Sequence, residues 1–407
     1  MDSRPADPVT ATAPTRRRAA LSPRLQHFTG TIFAEMSALA VATGSINLGQ
    51  GFPDSDGPPA MLEAARAAIA QGANQYPPGP GIPELRAAIA ATRERDRGQR
   101  FDPDTEVLVT VGATEAIAAA VIAMTDPGDE VLLIEPYYDS YPAVAAMSGA
   151  RPVTVPLRRD STGRFALDLD RLADAVTART RLLLLNSPHN PTGTVFTHDE
   201  LAGIAQIAVE HDLIVVTDEV YEYLTFDGAP HIPIGTLPDM AERTVTVSSA
   251  GKTFSVTGWK IGWACGPAPL VAAVRAAKQF LTYVGGAPFQ PAVAQALRSE
   301  SAWVAGLRDD LQRKRDRLCA GLRAAGFDVS VPAGTYFVQA DIRPLGRTDG
   351  MAFCRELPQL ARVVAVPTQV FYDDPADGAH LVRFAFCKAD EVIDEAADRL
   401  ARISRAG

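Results

Sequence analysis

A series of short apolar runs constrains the fold more than any other feature of this 407-residue chain. Between about residues 106 and 265, β-branched or leucine-rich stretches alternate with longer segments of helical periodicity. Strands of a parallel sheet are covered on both faces, and they therefore read as continuous apolar runs. The pattern predicts an α/β fold with a large, doubly wound, mostly parallel sheet. Its strands would be EVLVTV, EVLLIEP, RPVTVPL, RLLLLNS, DLIVVTDE, TVTVSS and IGWAC.

The pattern changes after about residue 295 and predicts a second, smaller α/β domain. A long charged amphipathic helix is expected around 301–325, then shorter strands near 335–341, 363–368 and 380–386, and a closing helix. The first residues are rich in Pro, Ala, Thr and Arg without periodicity, which is typical of a flexible arm. We predict four segments: the arm (1–24), an N-terminal segment packing with the small domain (25–48), the large domain (49–295) and the small domain (296–407).

Composition and charge argue for small-molecule chemistry. A formal net charge of −9 gives no broad electrostatic reason to bind nucleic acid or an anionic membrane. The four cysteines lie far apart without the spacing of a zinc site, so no metal is expected. No apolar run approaches the roughly 20 residues that span a bilayer, and no secretory signal is evident. We expect a cytoplasmic protein.

Two lysines follow a predicted strand in TVTVSSAGKTFSVTGWKIGWAC (244–265). Gly251, Lys252 and Thr253 match the end of a P-loop, but Thr246 stands where that motif needs glycine. A lysine at the carboxyl edge of an open sheet suits Schiff-base chemistry instead, because ligands usually bind at that edge. Burial and the nearby cation Lys260 would lower the pKa of Lys252 and make it a nucleophile or base. On this segment alone, two ordinary surface lysines remain an alternative.

Polar residues also follow two other predicted strands. Asp218 ends an apolar run, where a buried partner or ligand explains a carboxylate better than solvent does. A carboxylate beside a pyridine nitrogen keeps it protonated, which strengthens pyridoxal 5'-phosphate (PLP) as an electron sink. Tyr221 is placed to donate to the phenolic oxygen of such a ring, and the turn after RLLLLNS would present Asn190. Asp218 as a satisfied strand-end acid, and His189 as a packing residue of that turn, remain open.

A possible phosphate site lies where EVLVTV leads into a helix. Gly112, Ala113 and Thr114 would present the unpaired N–H groups of the first helical turn to an anion. Thr114 as a simple helix cap, with Glu115 in the first turn, is an equally good explanation.

Seven motifs occur in one order along the chain, and together they resemble those of the fold-type I, class I/II PLP-dependent aminotransferases over residues 25–405. The resemblance implies a PLP transferase fold and a transaminase activity. The motifs are INLGQGFPD (46–54), NQYPPGPG (74–81), EVLLIEPYYDSY (130–141), NSPHNPTG (186–193), TDEVYE (217–222), SSAGKTFSVTGWKIGW (248–263) and HLVRFAFCK (380–388).

The resemblance also implies a role for each site residue. Lys252 would carry PLP as a Schiff base, Asp218 would pair with the pyridine nitrogen, and Tyr138 would stack on the ring. Asn190 and Tyr221 would donate to its phenolic oxygen. The phosphate would be bound at the helix start by Gly112, Ala113 and Thr114, and by Ser249 and Lys260. Tyr76 would reach it from the second subunit of an obligate homodimer.

For the substrate, the resemblance implies that Arg383 binds the α-carboxylate, assisted by Asn186 and by the backbone at Gly49. Elementary physics agrees, because an arginine inside the apolar strand LVRFAF is costly without a carboxylate partner. The freed amine of Lys252 would then move a proton from the substrate's Cα. Transfer from an amino-acid donor to a 2-oxo acid acceptor would follow ping-pong kinetics.

Three segments are similar to a particular branch, the N-succinyldiaminopimelate aminotransferases of lysine and cell-wall biosynthesis. These segments are VTVGATEAIAAAV, NQYPPGPG and YVGGAPFQPAVA. We therefore predict N-succinyl-LL-2,6-diaminopimelate and glutamate/2-oxoglutarate as substrates. The alternative is a kynurenine, glutamine or methionine transaminase with cysteine-conjugate β-lyase side activity, although such relatives tend to carry a histidine near Gly286.

Overall fold

A computed structural model describes residues 20–28 and 30–403 of the chain. Residues 1–19 of the predicted flexible arm lie outside the described part. The strands are β1 (Ile46–Asn47), β2 (Val107–Val111), β3 (Glu130–Glu135), β4 (Arg151–Pro156), β5 (Arg158–Arg159), β6 (Phe165–Ala166), β7 (Thr180–Asn186), β8 (Ile214–Asp218), β9 (Thr244–Ser249), β10 (Ile261–Cys265), β11 (Asp328–Ser330), β12 (Phe337–Asp341), β13 (Val363–Val364), β14 (Val366–Pro367) and β15 (Leu381–Ala385).

Helices cover the sheets and form much of the second half of the chain. None of those within residues 20–28 and 30–403 is long and apolar enough to cross a membrane. The α-helices are α1 (Ile32–Thr43), α2 (Pro59–Ala70), α3 (Pro83–Arg97), α4 (Gly112–Met124), α5 (Ser140–Ser148), α6 (Leu169–Asp174), α7 (His198–Glu210), α8 (Ala250–Thr253), α9 (Ala268–Lys278), α10 (Phe289–Ser299), α11 (Ser301–Ala324), α12 (Gly350–Ala361) and α13 (Asp390–Leu400).

The large sheet has seven strands in the order β2-β10-β9-β8-β7-β3-β4. All neighbours are parallel except β10, which runs antiparallel to β2 and to β9. The predicted mostly parallel sheet is therefore confirmed, and each apolar run named above forms one of its strands. Because β7, β8 and β9 are parallel neighbours, their carboxyl ends meet at one edge of the sheet.

Both faces of this sheet are covered, which explains the unbroken apolar runs. In β7, Leu182 and Leu184 belong to the core that α4, α5 and α9 cover. Leu183 and Leu185 point to the opposite core, which α7 covers. Successive residues of the strand therefore both lie in apolar surroundings, as expected for a doubly wound sheet.

A second, antiparallel sheet forms the C-terminal part, in the order β11-β12-β15-β14. The predicted charged helix is α11, and the predicted closing helix is α13. Met36 and Ala40 of α1 pack into the core of this sheet, and β1 pairs with β13 in parallel. The N-terminal segment thus contacts the C-terminal part of the chain. The exact domain boundaries stay predictions.

Candidate active site

The site lies where the carboxyl ends of three neighbouring strands meet. Asn186 ends β7 and Asp218 ends β8, and the two residues are partners in the strand register. Lys252 lies on α8, which begins directly after β9. They line one cavity of about 300 Å³. Of the residues predicted from the sequence, its lining includes Gly112, Ala113, Thr114, Tyr138, Asn186, Asn190, Asp218, Tyr221, Ser249, Lys252, Lys260 and Arg383.

Lys252 projects its amine into a largely aromatic environment. Its Nζ donates a hydrogen bond to the hydroxyl of Tyr336 at 2.8 Å and lies 5.8 Å from the centre of the Tyr221 ring. Burial lowers the pKa of Lys252 to about 8. The positive charge of Lys260 acts in the same direction, and the negative charge of Asp218 opposes it. A substantial fraction of this amine is therefore neutral near physiological pH, as a nucleophile requires.

Asp218 is a buried carboxylate without a cationic partner within ion-pair distance among the described residues. One of its oxygens accepts from the Tyr141 hydroxyl at 2.8 Å, and the other accepts from the backbone N–H of Val220 at 3.2 Å. Burial raises the pKa of Asp218 to about 6. Such a carboxylate suits a ligand that brings its own positive N–H group. Burial also raises the pKa of Tyr221, whose hydroxyl thus stays protonated and able to donate.

The opposite end of the cavity is suited to an anion. Helix α4 begins at Gly112, whose φ is +71°, and no side chain caps its first turn. A β-carbon on Gly262 would lie 2.4 Å from the carbonyl carbon of Gly112. Strand β10 can therefore approach the start of α4 this closely only with glycine at position 262. The Lys260 amine is also close, since a β-carbon on Gly112 would lie 3.0 Å from its Nζ. Helix N–H groups and a lysine together suit a phosphate or another anion.

Arg383 is buried at 2% exposure, and its guanidinium has no acidic partner within ion-pair distance in the described part of the chain. It donates to the Asn190 side-chain oxygen at 3.2 Å and to the Gly49 carbonyl at 2.9 Å, while its Nε has no partner. Burial lowers the pKa of Arg383 to about 10. A buried guanidinium with an unused N–H is suited to a carboxylate ligand. Its cation lies 4.0–5.3 Å from the ring centres of Phe33, Phe337 and Phe371.

Two predicted residues do not line the cavity. Gly49 contributes only its carbonyl, as the acceptor from Arg383. Tyr76 is 81% exposed, and its ring packs edge-on against Tyr283 with the centres 5.6 Å apart. His189 is buried, with its Nδ1 2.8 Å from the Thr192 hydroxyl.

Sequence reasoning missed two tyrosines that contact the central residues. Tyr141 donates to Asp218, and a signal for it existed, since it follows Tyr138 by one helical turn in the motif EVLLIEPYYDSY. Tyr336 accepts from Lys252 and comes from the second sheet, far along the chain. No local pattern around Tyr336 indicates this contact.

Comparison with known proteins decides the family. Residues 43–400 match the family described as aminotransferase class I and II. The chain belongs to this family. Its members transfer amino groups between amino acids and 2-oxo acids and use PLP, and the resemblance described in the sequence analysis is confirmed.

This aminotransferase has relatives of several specificities. It is 62% identical to the probable N-succinyldiaminopimelate aminotransferase of Mycobacterium tuberculosis, over 93% of this chain and 97% of that protein. The solved structure of the M. tuberculosis enzyme matches with a TM-score of 0.93, covering 94% of this chain and 100% of that one. The methionine aminotransferase of Escherichia coli is 40% identical over 92% of this chain and 96% of that protein.

The residues of this aminotransferase fit three functional groups of PLP. The uncapped start of α4 and Lys260 suit the phosphate, and the unpaired carboxylate of Asp218 suits the pyridine nitrogen. The partly neutral amine of Lys252 suits the aldehyde. The cavity therefore offers an anion site, a carboxylate and a nucleophile, which are the features that this cofactor needs.

Proposed function

We propose that this aminotransferase exchanges an amino group between N-succinyl-LL-2,6-diaminopimelate and 2-oxoglutarate in the biosynthesis of diaminopimelate and lysine. The observation that supports this substrate is the 62% identity to the M. tuberculosis relative, which extends over 93% of the chain. The high TM-score of 0.93 to the solved M. tuberculosis structure agrees with it. A cytoplasmic location fits such a biosynthetic role and belongs to the same proposal.

In the proposed reaction, Lys252 holds the cofactor between turnovers and moves the proton of the substrate's Cα. PLP, when bound, withdraws electrons from that carbon. Asp218 keeps the pyridine nitrogen protonated, because the positive N–H group of a pyridinium stabilises a buried carboxylate that has no other cationic partner. Tyr221 and Asn190 donate to the phenolic oxygen, and Tyr138 stacks on the ring.

Arg383 binds the α-carboxylate of donor and acceptor alike. Its Nε has no partner, and its other two nitrogens donate only to an amide oxygen and a carbonyl, so the buried positive charge favours a carboxylate ligand. Asn186 supports this arrangement indirectly, since its side-chain oxygen accepts from the backbone N–H of Asn190 at 2.7 Å. Gly49 fixes the guanidinium from the other side.

At the far end, the phosphate is held by the first turn of α4 and by two side chains. The backbone N–H groups of Ala113 and Thr114, which follow Gly112, would donate to the phosphate, and Lys260 supplies a positive charge. The Ser249 hydroxyl lines the same part of the cavity.

We further propose a homodimer in which Tyr76 reaches the phosphate of the partner's site. Tyr76 lies outside the cavity of its own chain. It belongs to an exposed apolar edge, and such surfaces often mark sites of contact with another protein. Tyr283 (49% exposed), Leu281 (47%) and Phe280 (85%) continue this edge. A second copy of the chain would cover these side chains and bring the phenol to its site.

The absorbance spectrum of the protein with PLP tests the proposal. Glutamate or N-succinyl-LL-diaminopimelate should bleach the visible cofactor band, whereas kynurenine and methionine should act more slowly. The Lys252→Ala variant is the matched control and should bind PLP without forming that band. If no amino donor bleaches the wild-type band, the proposed activity is wrong; if kynurenine acts fastest, only the substrate is wrong.

A second candidate function is supported by the other relatives. The E. coli methionine aminotransferase is 40% identical, and kynurenine--oxoglutarate transaminase 3 of Mus musculus is 36% identical. Release of pyruvate and ammonia from a cysteine conjugate would reveal the β-lyase activity of that group. The geometry at Gly286 argues against a kynurenine-type histidine there, because φ is +66° and a β-carbon would lie 2.2 Å from Ile261.

A further inference from the structure

Tyr336 connects three segments that meet behind Lys252. Its hydroxyl accepts a hydrogen bond from Lys252 Nζ at 2.8 Å and donates one to the carbonyl of Gly51 at 2.6 Å. Its ring stands edge-on to Tyr221, with the centres 5.2 Å apart. Tyr336 precedes β12 in the second sheet, Lys252 follows β9 in the first, and Gly51 belongs to the N-terminal loop.

The direction of these two hydrogen bonds determines what the phenol can do. Because a carbonyl oxygen has no hydrogen, the Tyr336 proton is directed to Gly51 and only its lone pairs face the lysine. The hydroxyl therefore takes one N–H of the amine. It leaves the nitrogen lone pair free and gives the amine a defined direction.

We propose that Tyr336 is a positioning residue that orients the free amine of Lys252 for proton transfer at the substrate's Cα. This inference rests on the proposed role of Lys252 and extends it to a residue of the second sheet. In the step, the proton leaves Cα and ends on Nζ, and the electron pair of the C–H bond stays on the substrate. Tyr336 gives up no proton; it accepts a hydrogen bond before and after the transfer.

The same sheet carries the proposed carboxylate ligand. β12 pairs with β15, where Arg383 lies opposite Gln339. Tyr336 and Arg383 are therefore fixed to one two-stranded unit: Arg383 lines the cavity, and Tyr336 contacts the amine of Lys252. A substrate held by Arg383 and an amine held by Tyr336 are thus placed relative to each other by a single rigid element, which is what a proton transfer over a short distance requires.

The first experiment measures the amino-donor half-reaction of the PLP-loaded Tyr336→Phe variant in single turnovers. We expect the rate to fall about 10- to 100-fold, the range for one lost hydrogen bond to a reacting group. The apparent donor affinity and the affinity for PLP should change less than about twofold, because the ring remains in place. With a donor deuterated at Cα, the isotope effect should increase, since proton transfer becomes the slow step.

The second experiment uses the cofactor-free protein and does not depend on activity. Trace labelling with acetic anhydride, read by mass spectrometry, reports the reactivity of each lysine. Loss of the acceptor at position 336 destabilises the ammonium form of Lys252, so its acetylation should become about 2- to 10-fold faster in Tyr336→Phe. Lys260 in the same sample is the internal reference and should not change.

Tyr223→Phe is the matched control variant. It also removes a phenol, but that hydroxyl donates to Asp96 at 2.7 Å and does not line the cavity. Its rates and labelling should equal those of the wild type. The inference is overturned if Tyr336→Phe keeps the wild-type half-reaction rate, or if it loses PLP binding together with activity. An inactive wild type would instead overturn the proposed function, so the two failures are distinguishable.

Discussion

At the scale of single residues, the charge of Lys252 is set by its surroundings. The amine lies among aromatic rings, and burial is the first reason that its pKa falls to about 8 from the ordinary value of 10.5. A lowered pKa means that the folded protein releases this proton at lower pH than the unfolded chain does. The neutral amine, which reacts with an aldehyde, is thus abundant from about pH 8 upwards.

We therefore predict the pH dependence of cofactor capture. The rate at which PLP condenses with the cofactor-free protein should rise with pH and reach half of its plateau near pH 8. Stopped-flow absorbance measures this rate, and an N-acetyl-lysine amide in the same buffers corrects for the titration of PLP itself. A midpoint near that of the free lysine derivative would contradict the prediction.

The positions of the site residues at strand ends could be predicted, because these residues follow apolar runs. Lys252, Asp218 and Asn186 stand directly after such runs, and parallel strands bring their carboxyl ends together. Tyr336 could not be predicted in the same way. It contacts Lys252 from a separate segment, through the packing of the second sheet, and no local sequence pattern encodes that packing.

At the scale of elements, buried charges join α3 to the strands that carry the site. Arg93 of α3 pairs with Glu219 at 2.9 Å and with Glu222 at 2.6 Å, and each of these side chains is at most 2% exposed. Ser248 of β9 donates to Glu222 at 2.7 Å. This cluster therefore fixes the turn that follows Asp218 and contains Tyr221 to both α3 and β9. Both acids belong to the motif TDEVYE, but the sequence did not indicate Arg93 as their partner.

Replacing Arg93 with methionine should destabilise the fold strongly. Removal of Arg93 leaves the buried Glu219 without an arginine and Glu222 with Arg97 alone, and the loss of one partner of a buried ion pair costs about 3–5 kcal/mol. Arg100→Met is the matched control, because Arg100 is 85% exposed and its pair with Glu94 should contribute about 1 kcal/mol or less. Urea unfolding of the cofactor-free proteins measures both changes. Equal free energies of unfolding for the two variants would show that the cluster has no such role.

At the scale of the whole molecule, each active site of the proposed dimer contains residues from both chains. Tyr76 is exposed in its own chain, so its predicted contact with phosphate requires a partner. A mixed dimer of one Lys252→Ala and one Tyr76→Ala subunit distinguishes the two possible arrangements. If Tyr76 acts across the interface, one of its sites has both residues intact.

We expect each parent variant to be strongly impaired and the mixed dimer to recover about half of the wild-type activity, as simple site counting requires. Differently tagged subunits, refolded together and purified on both tags, provide the sample. Each variant refolded with itself is the control. If the mixed dimer stays as impaired as Tyr76→Ala alone, the tyrosine acts within its own chain and the interpretation fails.

The arrangement of strands also has a consequence for how the protein is made. In the large sheet, β2 has β10 as its neighbour, and β1 pairs with β13 near the other end of the chain. On the ribosome, a nascent chain can therefore complete the proposed phosphate site only after Cys265 has emerged. It can complete the proposed carboxylate site only after Arg383 has emerged. Capture of the vitamin-derived cofactor is thus a late event, which follows the synthesis of nearly the entire polypeptide.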